Sequence, residues 1–342
     1  MAKNVTRWLL NKFHDIDRER MNKHIRIMSE NTGKSPFAIK CALIRSFIAR
    51  GTGYTDFFRG NFLCITSAEK DTFCTAKKFY NVLSYLNDPK YIAVVDDKLV
   101  FNEMFRDYLG RDFINLRVTD KTGFKKFLKG KKTVFAKDPA GYGGHGISKI
   151  TVSEVAEPDA LYDTLKERKQ FLVEEAIVQS EQLNDINPNV VNSFRIITLY
   201  KDGKAHVINN ALRVNKDEKS VIGCTDDLYF SLGADGRIDS NVIDDYGNVY
   251  ETHPMTGKKF ADVKIDGVDK AFKMCEEAAL KVPQVRYIGW DVAFTDKGPV
   301  FVEGNDYPGY GLLQHYKLKN KRTGHLKEIA DVLGDEMKNI KL

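Results

Sequence analysis

Apolar residues in the first ninety positions recur at the spacing of amphipathic helices, with basic residues between them. Two such series are Leu9, Phe13 and Ile16, then Met21, Ile25 and Met28. Further helices are predicted at residues 37–49, before a Gly-Thr-Gly turn, and at residues 70–86. Residues 1–90 are therefore predicted to form a mainly helical region. Its basic amphipathic face either lies on a membrane surface or packs on the rest of the protein, and we favour packing.

The pattern changes near residue 91, where short apolar runs begin. We predict a strand at residues 91–95 and a helix from about Lys98 that ends at Gly110. The later predicted strands are 133–137, 148–152, 171–174, 193–200, 204–210, 288–294 and 299–303. Predicted helices are 123–128, 160–168, 268–280 and an amphipathic tail from 326 to 340. Hairpin strands with segregated helices indicate an α+β fold.

Composition narrows the class of protein. The 342 residues are 42% hydrophobic and 29% charged, as in ordinary globular proteins. The net charge is +6, but the basic residues are not strongly concentrated in one patch. We therefore predict no nucleic-acid binding. Five cysteines without a CxxC pair fit a reduced compartment and no zinc site. Neither a membrane span nor a signal peptide is recognised, and a cytoplasmic location is expected.

The segment from Tyr287 to Gly311 predicts a metal site. We interpret Asp296-Lys297-Gly298 as a three-residue hairpin loop between two strands. The register then pairs Thr295 with Pro299, Phe294 with Val300, Val292 with Val302 and Asp291 with Glu303. Two carboxylates about 5 Å apart repel each other unless a cation lies between them. Asn305 shares their face, and this set of oxygen donors suits Mg²⁺ bound to nucleotide phosphates. A solvent-facing acidic hairpin is the alternative.

A lysine and a glycine-rich loop suggest a phosphate site. A strand ends at Lys137, and a second strand follows the loop. The loop glycines are Gly141, Gly143, Gly144 and Gly146. They let backbone amides approach phosphate oxygens, and Lys137 supplies positive charge. Ile147 stands where a Walker A motif requires lysine, and no helix follows as in a Rossmann turn. The alternative is a flexible surface hairpin.

Other charged residues lie at strand exits or on apolar strands. Glu174, Glu175 and Glu181 lie where carboxylates bind an adenine amino group and a ribose hydroxyl, or else form a solvated loop. Arg195 and Arg213 lie on apolar strands, and a buried arginine needs an anionic partner. That partner is either a structural carboxylate or a transferred phosphoryl group.

The order of these parts resembles the ATP-grasp superfamily, and within it the sugar-transfer-associated branch, with teichuronopeptide-biosynthesis proteins as relatives. The resemblance covers about residues 97–311, and GTGYTDF at 51–57 also resembles that branch. It implies an ATP-grasp fold in four parts. These are a helical region at 1–90, an N-terminal part with a small lid subdomain at 91–177, a C-terminal subdomain with the metal site at 178–325, and a helix at 326–342.

The resemblance also implies residue roles. Lys98 and Lys137 match the two lysines that reach nucleotide phosphates. The loop from Gly141 to Gly146, with His145 inside it, resembles the mobile lid. Glu174, Glu175 and Ile177 lie in the segment that resembles the adenine hinge, and Glu181 takes the ribose position. NSFRIITL is similar to the N-T-x-R strand, so Arg195 contacts the γ-phosphate or an acyl phosphate. Asp291, Glu303 and Asn305 match the magnesium ligands.

One segment departs from the pattern of the relatives. Where they often carry D-N-x-x-x-G-G, this chain has TDDLYFSLG at residues 225–233. The second substrate is therefore expected to differ from that of the relatives.

The resemblance implies an ATP-dependent ligase that joins a carboxylate to an amine through an acyl phosphate. ATP and Mg²⁺ are the expected cofactors, with Mn²⁺ as a substitute, and Arg195, Arg213 and Lys137 are the expected catalytic residues. The expected substrates are small or sugar-linked, in surface polysaccharide or sugar-conjugate modification. A kinase on the same fold and a non-catalytic nucleotide-binding protein are the alternatives. Association with a membrane or a glycosyltransferase, and the oligomeric state, stay open.

Overall fold

The computed structural model describes residues 17–141, 146–217 and 227–342. The predicted helical positions Leu9, Phe13 and Ile16 lie outside these ranges, as do Gly143, Gly144 and His145 of the glycine loop.

The N-terminal region is helical, as predicted. Its helices are α1 (Arg18–Thr32), α2 (Pro36–Arg50), α3 (Tyr54–Arg59), α4 (Ser67–Asp71) and α5 (Ala76–Leu86). Asp17 and Ser35 cap α1 and α2 through their side chains. The single helix predicted at residues 70–86 was wrong. The Thr75 hydroxyl accepts a hydrogen bond from the Lys78 amide, so a new helix begins there, after a break at buried Phe73.

The strand predicted at residues 91–95 was also wrong, because these residues lead into α6 (Ala93–Asp96). A short apolar run does not distinguish a strand from a buried helix. The Asp97 carboxylate then accepts hydrogen bonds from the Leu99 and Val100 amides and starts α7 (Lys98–Met104). A 3₁₀ turn at Arg106–Tyr108 completes the segment.

A four-stranded antiparallel sheet follows. Its strands are β1 (Phe113–Asn115), β2 (Thr133–Lys137), β3 (Ile147–Thr151) and β4 (Leu172–Glu175), in the order β1-β4-β2-β3. Helices α8 (Lys121–Leu128) and α9 (Pro158–Glu167) pack on one face through a core that includes Phe124, Leu165 and Val173. Because side chains alternate along a strand, Lys137 and Glu174 lie on the opposite face.

The second sheet is antiparallel and has five strands in the order β7-β6-β5-β8-β9. The strands are β5 (Ser193–Lys201), β6 (Lys204–Asn215), β7 (Asp227–Phe230), β8 (Tyr287–Thr295) and β9 (Gly298–Asn305). Helix α10 (Glu181–Asn184) precedes them, and the remaining α-helices of the described residues are α11 (Val268–Leu280), α12 (Tyr316–Lys319) and α13 (His325–Leu333). α11 packs on one face, in the core that contains Trp290, while α5 and α13 pack on the other, around Tyr287.

Most strand predictions after residue 130 agree with the structure to within a few residues. β1 and β7, each of three or four residues, were not predicted, and β6 extends five residues beyond its predicted end. The α+β prediction is confirmed, whereas the domain boundaries stay predictions. Within the described ranges, no helix combines the length and the apolar character that crossing a membrane requires.

Candidate functional site

The β8–β9 hairpin pairs Asp291 with Glu303 as predicted, but by a different route. The loop has two residues, because Thr295 pairs with Gly298, and Val292 pairs with Phe301. The predicted three-residue loop was therefore wrong. A bulge between Asp291 and Val292 shifts the register back by one residue. The wrong loop length and the missing bulge in the prediction offset each other, so Asp291 still pairs with Glu303. Asn305 lies two residues beyond Glu303 on β9 and points to the same face.

Arg195 holds the carboxylate of Asp291. The two residues are register partners on β5 and β8. The Arg195 Nε donates to Asp291 Oδ1, and Nη2 donates to Oδ2 at 2.9 Å. The third donor, Nη1, bonds the carbonyl of Pro308 at 2.6 Å. The guanidinium is thus fixed in a fork geometry between β8 and the segment that follows β9.

Lys98 connects three of the segments that the sequence singled out. Its Nζ lies 3.6 Å from Glu303 Oε2 and donates to the carbonyl of Gly141 at 2.5 Å. Lys98 begins α7, Gly141 begins the glycine loop, and Glu303 lies on β9. The Glu303 side chain is 31% exposed, so one lysine contact leaves it open to other ligands.

Lys137 and Glu174 form an ion pair on the inner face of the small sheet. Glu174 is 3% exposed, and Arg111 Nη2 donates to its Oε2 at 2.9 Å. Asn102 Nδ2 donates to the same oxygen at 3.2 Å. Burial raises the pKa of Glu174, but Lys137 and Arg111 outweigh it and lower that pKa from 4.5 to about 2. Sequence reasoning missed Arg111 and Asn102, for which no local pattern gave a signal.

The remaining predicted nucleotide residues lie at the end of β4 and in the glycine loop. Glu175 points to the other face from Glu174 and pairs with Lys131 at 3.0 Å. Ile177 is half-buried beyond the strand, and Glu181 is exposed at the start of α10. Gly146 has a φ of +73°, and its carbonyl accepts from Gln170 Nε2 at 3.0 Å. That left-handed conformation favours glycine.

The donor set of Asp291, Glu303 and Asn305 fits a hard divalent cation. All three side chains project from one face of paired strands, and all offer oxygen ligands. Asn305 Nδ2 is buried and has no hydrogen-bond partner among the described residues, so a half-turn of the amide, which exchanges nitrogen and oxygen, would break no hydrogen bond of this nitrogen. No cluster of three His, Cys, Asp or Glu side chains suited to a metal occurs in the described parts of the chain.

Arg213 lies on the same sheet face as Arg195. It is one strand further from Asp291, Glu303 and Asn305, which we call the metal-type ligands. Its Nη2 donates to Asp227 Oδ2 at 3.0 Å, and its guanidinium lies 5.7 Å from the centre of the Tyr229 ring. Asp227 is fully buried. A row of charged side chains therefore crosses the large sheet from β9 to β7.

Comparisons with known proteins give the family of the chain. The sequence model of the sugar-transfer associated ATP-grasp family matches residues 149–322, just over half of the chain. No curated protein sequence gives a significant match.

Solved structures with related folds are more distant. The ATP-grasp ligase PsnB, complexed with minimal precursor, is 16% identical over 72% of this chain and 63% of that chain, with a TM-score of 0.43. D-alanyl-alanine synthetase A from Vibrio cholerae is 10% identical over 74% of this chain and 67% of that chain, with a TM-score of 0.45. The chain thus spans less than two thirds of the PsnB structure. The family match alone carries the conclusion: the chain belongs to the sugar-transfer associated ATP-grasp family.

Proposed function

We propose that this protein is an ATP-dependent ligase that joins a carboxylate to an amine and releases ADP and phosphate. The observation that carries the proposal is the contact set of Lys98. This lysine brings the glycine loop at Gly141 and the metal-type ligand Glu303 to one point. Cations, loop amides and hard oxygen donors around one point are what a magnesium-bound nucleotide triphosphate requires.

The nucleotide would lie between the two sheets. Lys98 and Lys137 would bind phosphate oxygens, with the glycine loop, including Gly141, Gly143, Gly144, His145 and Gly146, above them. The segment from Glu174 to Ile177, which includes Glu175, would contact adenine, and Glu181 would accept a ribose hydroxyl. The ion pair of Glu174 with Lys137 and Arg111 supports this proposal, because it fixes the phosphate-binding lysine before ATP arrives.

Asp291, Glu303 and Asn305 would hold Mg²⁺, or Mn²⁺ in its place. The bound ion supplies neutralisation of the β- and γ-phosphate charge. Arg195 holds Asp291 in position through two hydrogen bonds and retains other N–H groups for a phosphoryl oxygen. The protein thus contributes positioning and electrostatic stabilisation rather than a nucleophile.

The reaction would take place in two steps. An oxygen of the substrate carboxylate attacks the γ-phosphorus, the bond to the β–γ bridging oxygen breaks, and ADP leaves. The amine then attacks the acyl carbon, phosphate leaves with the C–O bonding electrons, and the amine loses a proton. Arg195 and Arg213, neighbours on one face, would offset the charge on the transferred group.

The family name supports a substrate class. We propose that the carboxylate or the amine belongs to a sugar or a sugar conjugate, in the modification of a surface polysaccharide. The chemistry is proposed for the cytoplasm, and the four described cysteines, which are free thiols, are consistent with a reduced compartment.

The test is the release of phosphate from ATP and Mg²⁺ by the full chain, with a panel of sugar carboxylates and amino acids. The proposal expects stoichiometric ADP and phosphate only when a carboxylate and an amine are both present, with an amide in the product. A phosphorylated product that accumulates with a single hydroxyl substrate would instead identify a kinase. Absence of any magnesium-dependent ATP turnover would contradict both.

A further inference from the structure

Two arginines from the N-terminal helices reach the far end of the charged row. Arg20 of α1 and Arg59 of α3 both donate to Asp245, at 2.9 and 3.2 Å. Asp245 is 5% exposed and lies in the loop after β7. The helical region therefore contributes charged groups to the part of the molecule that the family match covers.

Arg59 also contacts the segment that follows β9, the strand that carries Glu303 and Asn305. A Cβ added at Gly311 would lie 2.1 Å from Arg59 Nη1, so the guanidinium lies where a side chain would otherwise be. Three residues earlier, the carbonyl of Pro308 accepts from Arg195. One short segment after β9 thus contacts both arginines. Arg59 belongs to the surroundings of the site rather than to a remote surface.

Arg213 lies between these two groups. On β5 and β6, Arg195 pairs with Ala211 and Ser193 pairs with Arg213, which makes Arg195 and Arg213 diagonal neighbours, roughly 7–8 Å apart. On the other side, Tyr229 of β7 exchanges backbone hydrogen bonds with Ile243, two residues before Asp245. Burial raises the pKa of Tyr229, and Asp245, Arg213 and Arg59 all lie close enough to influence that pKa. Arg195, Arg213, Arg59 and Arg20 therefore follow one another from Asp291 to the N-terminal helices, and we call this series the wall.

The wall has hydrogen-bond donors that the described residues do not use. Arg20 and Arg59 share the carboxylate of Asp245, and Arg213 pairs with Asp227. Among the described residues, the Nε atoms of all three arginines are buried and have no hydrogen-bond partner. Each guanidinium has five N–H groups, so most of this capacity is not used by the described residues.

Two buried histidines add no charge to this wall at neutral pH. Burial, with nearby Arg20 and Arg59, lowers the pKa of His24 to about 4. Burial and Arg59 lower the pKa of His315 to about 3. The positive charge of the wall at neutral pH therefore does not come from these histidines. An anionic group is the ligand that such a wall would attract.

We propose that Arg20 and Arg59 bind an oxyanion, a carboxylate or a phosphate, on the second substrate, beside Arg213. The N-terminal helices are then part of the substrate site, and the substrate carries an anionic group besides the carboxylate that is activated. This inference rests on the proposed function, which identifies the site as a substrate site. Anion binding is measured separately from ATP binding, so the two can fail independently.

The experiment uses calorimetric titration of the full chain loaded with Mg²⁺ and a non-hydrolysable ATP analogue. Glucose 1-phosphate and glucuronate are the anionic probes, and glucose is their uncharged match. Arg59→Ala removes the guanidinium. Gly311→Ala displaces it without loss of charge, and the fold should tolerate this change because Arg59 Nη1 is the end of a flexible side chain. Arg237→Ala, at an exposed arginine, is the control.

The proposal expects that the wild type binds at least one anionic probe and not glucose. The preferred probe then tells phosphate from carboxylate recognition. Arg59→Ala and Gly311→Ala should each weaken that binding about tenfold or more, while the control and the affinity for the ATP analogue stay unchanged. Equal binding in wild type and Gly311→Ala, or no anion binding by a nucleotide-loaded wild type, would overturn it. Failure to bind the nucleotide would instead contradict the proposed function.

Discussion

Glu174 on the small sheet and Glu303 on the large sheet show two uses of a carboxylate beside a lysine. Glu174 is 3% exposed and takes Lys137, Arg111 and Asn102 as partners. The side chain of Glu303 is 31% exposed and has Lys98 at 3.6 Å. A saturated, buried carboxylate serves as an anchor because releasing its partners is costly. A partly exposed carboxylate that is loosely paired, as Glu303 is with Lys98, can exchange partners, as ligand binding requires.

The largest effect should come from Glu303. Glu303→Gln removes the charge that would hold Mg²⁺, so magnesium-dependent ATP turnover should fall about a thousandfold or more. The unfolding free energy should change by less than about 1 kcal/mol, because the side chain is partly exposed. Initial rates of ADP formation and urea denaturation measure the two quantities. Glu103→Gln, at an exposed glutamate, should match wild type. Unchanged turnover in Glu303→Gln would rule out the metal assignment.

Glu174 should show the opposite result. Glu174→Gln leaves Lys137 and Arg111 buried without their counter-charge, and the unfolding free energy should drop by about 3–5 kcal/mol. Glu175→Gln is the matched control on the same strand. Its carboxylate is 40% exposed, so a loss below about 1 kcal/mol is expected. If the two variants unfold at the same urea concentration, Glu174 is not an anchor.

Acid should weaken the same anchor. Burial alone would raise the folded-state pKa of Glu174. The positive charges of Lys137 and Arg111 outweigh burial and lower that pKa from 4.5 to about 2. The stabilisation is therefore complete above the unfolded pKa near 4.5 and is lost as pH falls towards 2. It amounts to on the order of 3 kcal/mol. Chemical denaturation between pH 6 and about pH 3 should show a steeper loss for wild type than for Glu174→Gln. Parallel curves would contradict the shift.

A smaller effect is expected at Lys98. Lys98→Ala removes one cation from the phosphate site, and the Kd of ATP should rise about tenfold, equivalent to about 1.4 kcal/mol. Lys125→Ala removes an exposed lysine of α8 that pairs with Asp159, and should leave the Kd unchanged. Fluorescent nucleotide titration separates the two. Equal affinities would remove Lys98 from the site.

Much of the geometry of the candidate site was predictable, because several of its residues lie on strands whose side chains alternate in direction. Strand alternation placed Asp291 opposite Glu303, although the loop length was wrong and a bulge restored the register. The order of lysines, loop and arginine came from resemblance to a family. In contrast, no periodicity links Arg20 or Arg59 to Asp245, which lies 225 and 186 residues further along the chain, because tertiary packing alone brings them together.

The secondary-structure predictions that were wrong or missing have a similar cause, because these elements depend on tertiary contacts. The apolar run at residues 91–95 suited a strand or a buried helix equally, and packing against the sheets decided for the helix. β1 and β7 are too short to show alternation, and they form because neighbouring strands offer hydrogen-bond partners. Local pattern predicts long elements and misses those that depend on their neighbours.

The central claim is that Asp291, Glu303 and Asn305 hold the metal of a nucleotide site. Binding of Mn²⁺ to the full chain, followed by electron paramagnetic resonance with and without a non-hydrolysable ATP analogue, tests it most directly. The account predicts tight Mn²⁺ binding by wild type in the presence of the analogue, and its loss in Glu303→Gln but not in Glu103→Gln, at an exposed glutamate. Equal Mn²⁺ binding by wild type and Glu303→Gln would contradict it.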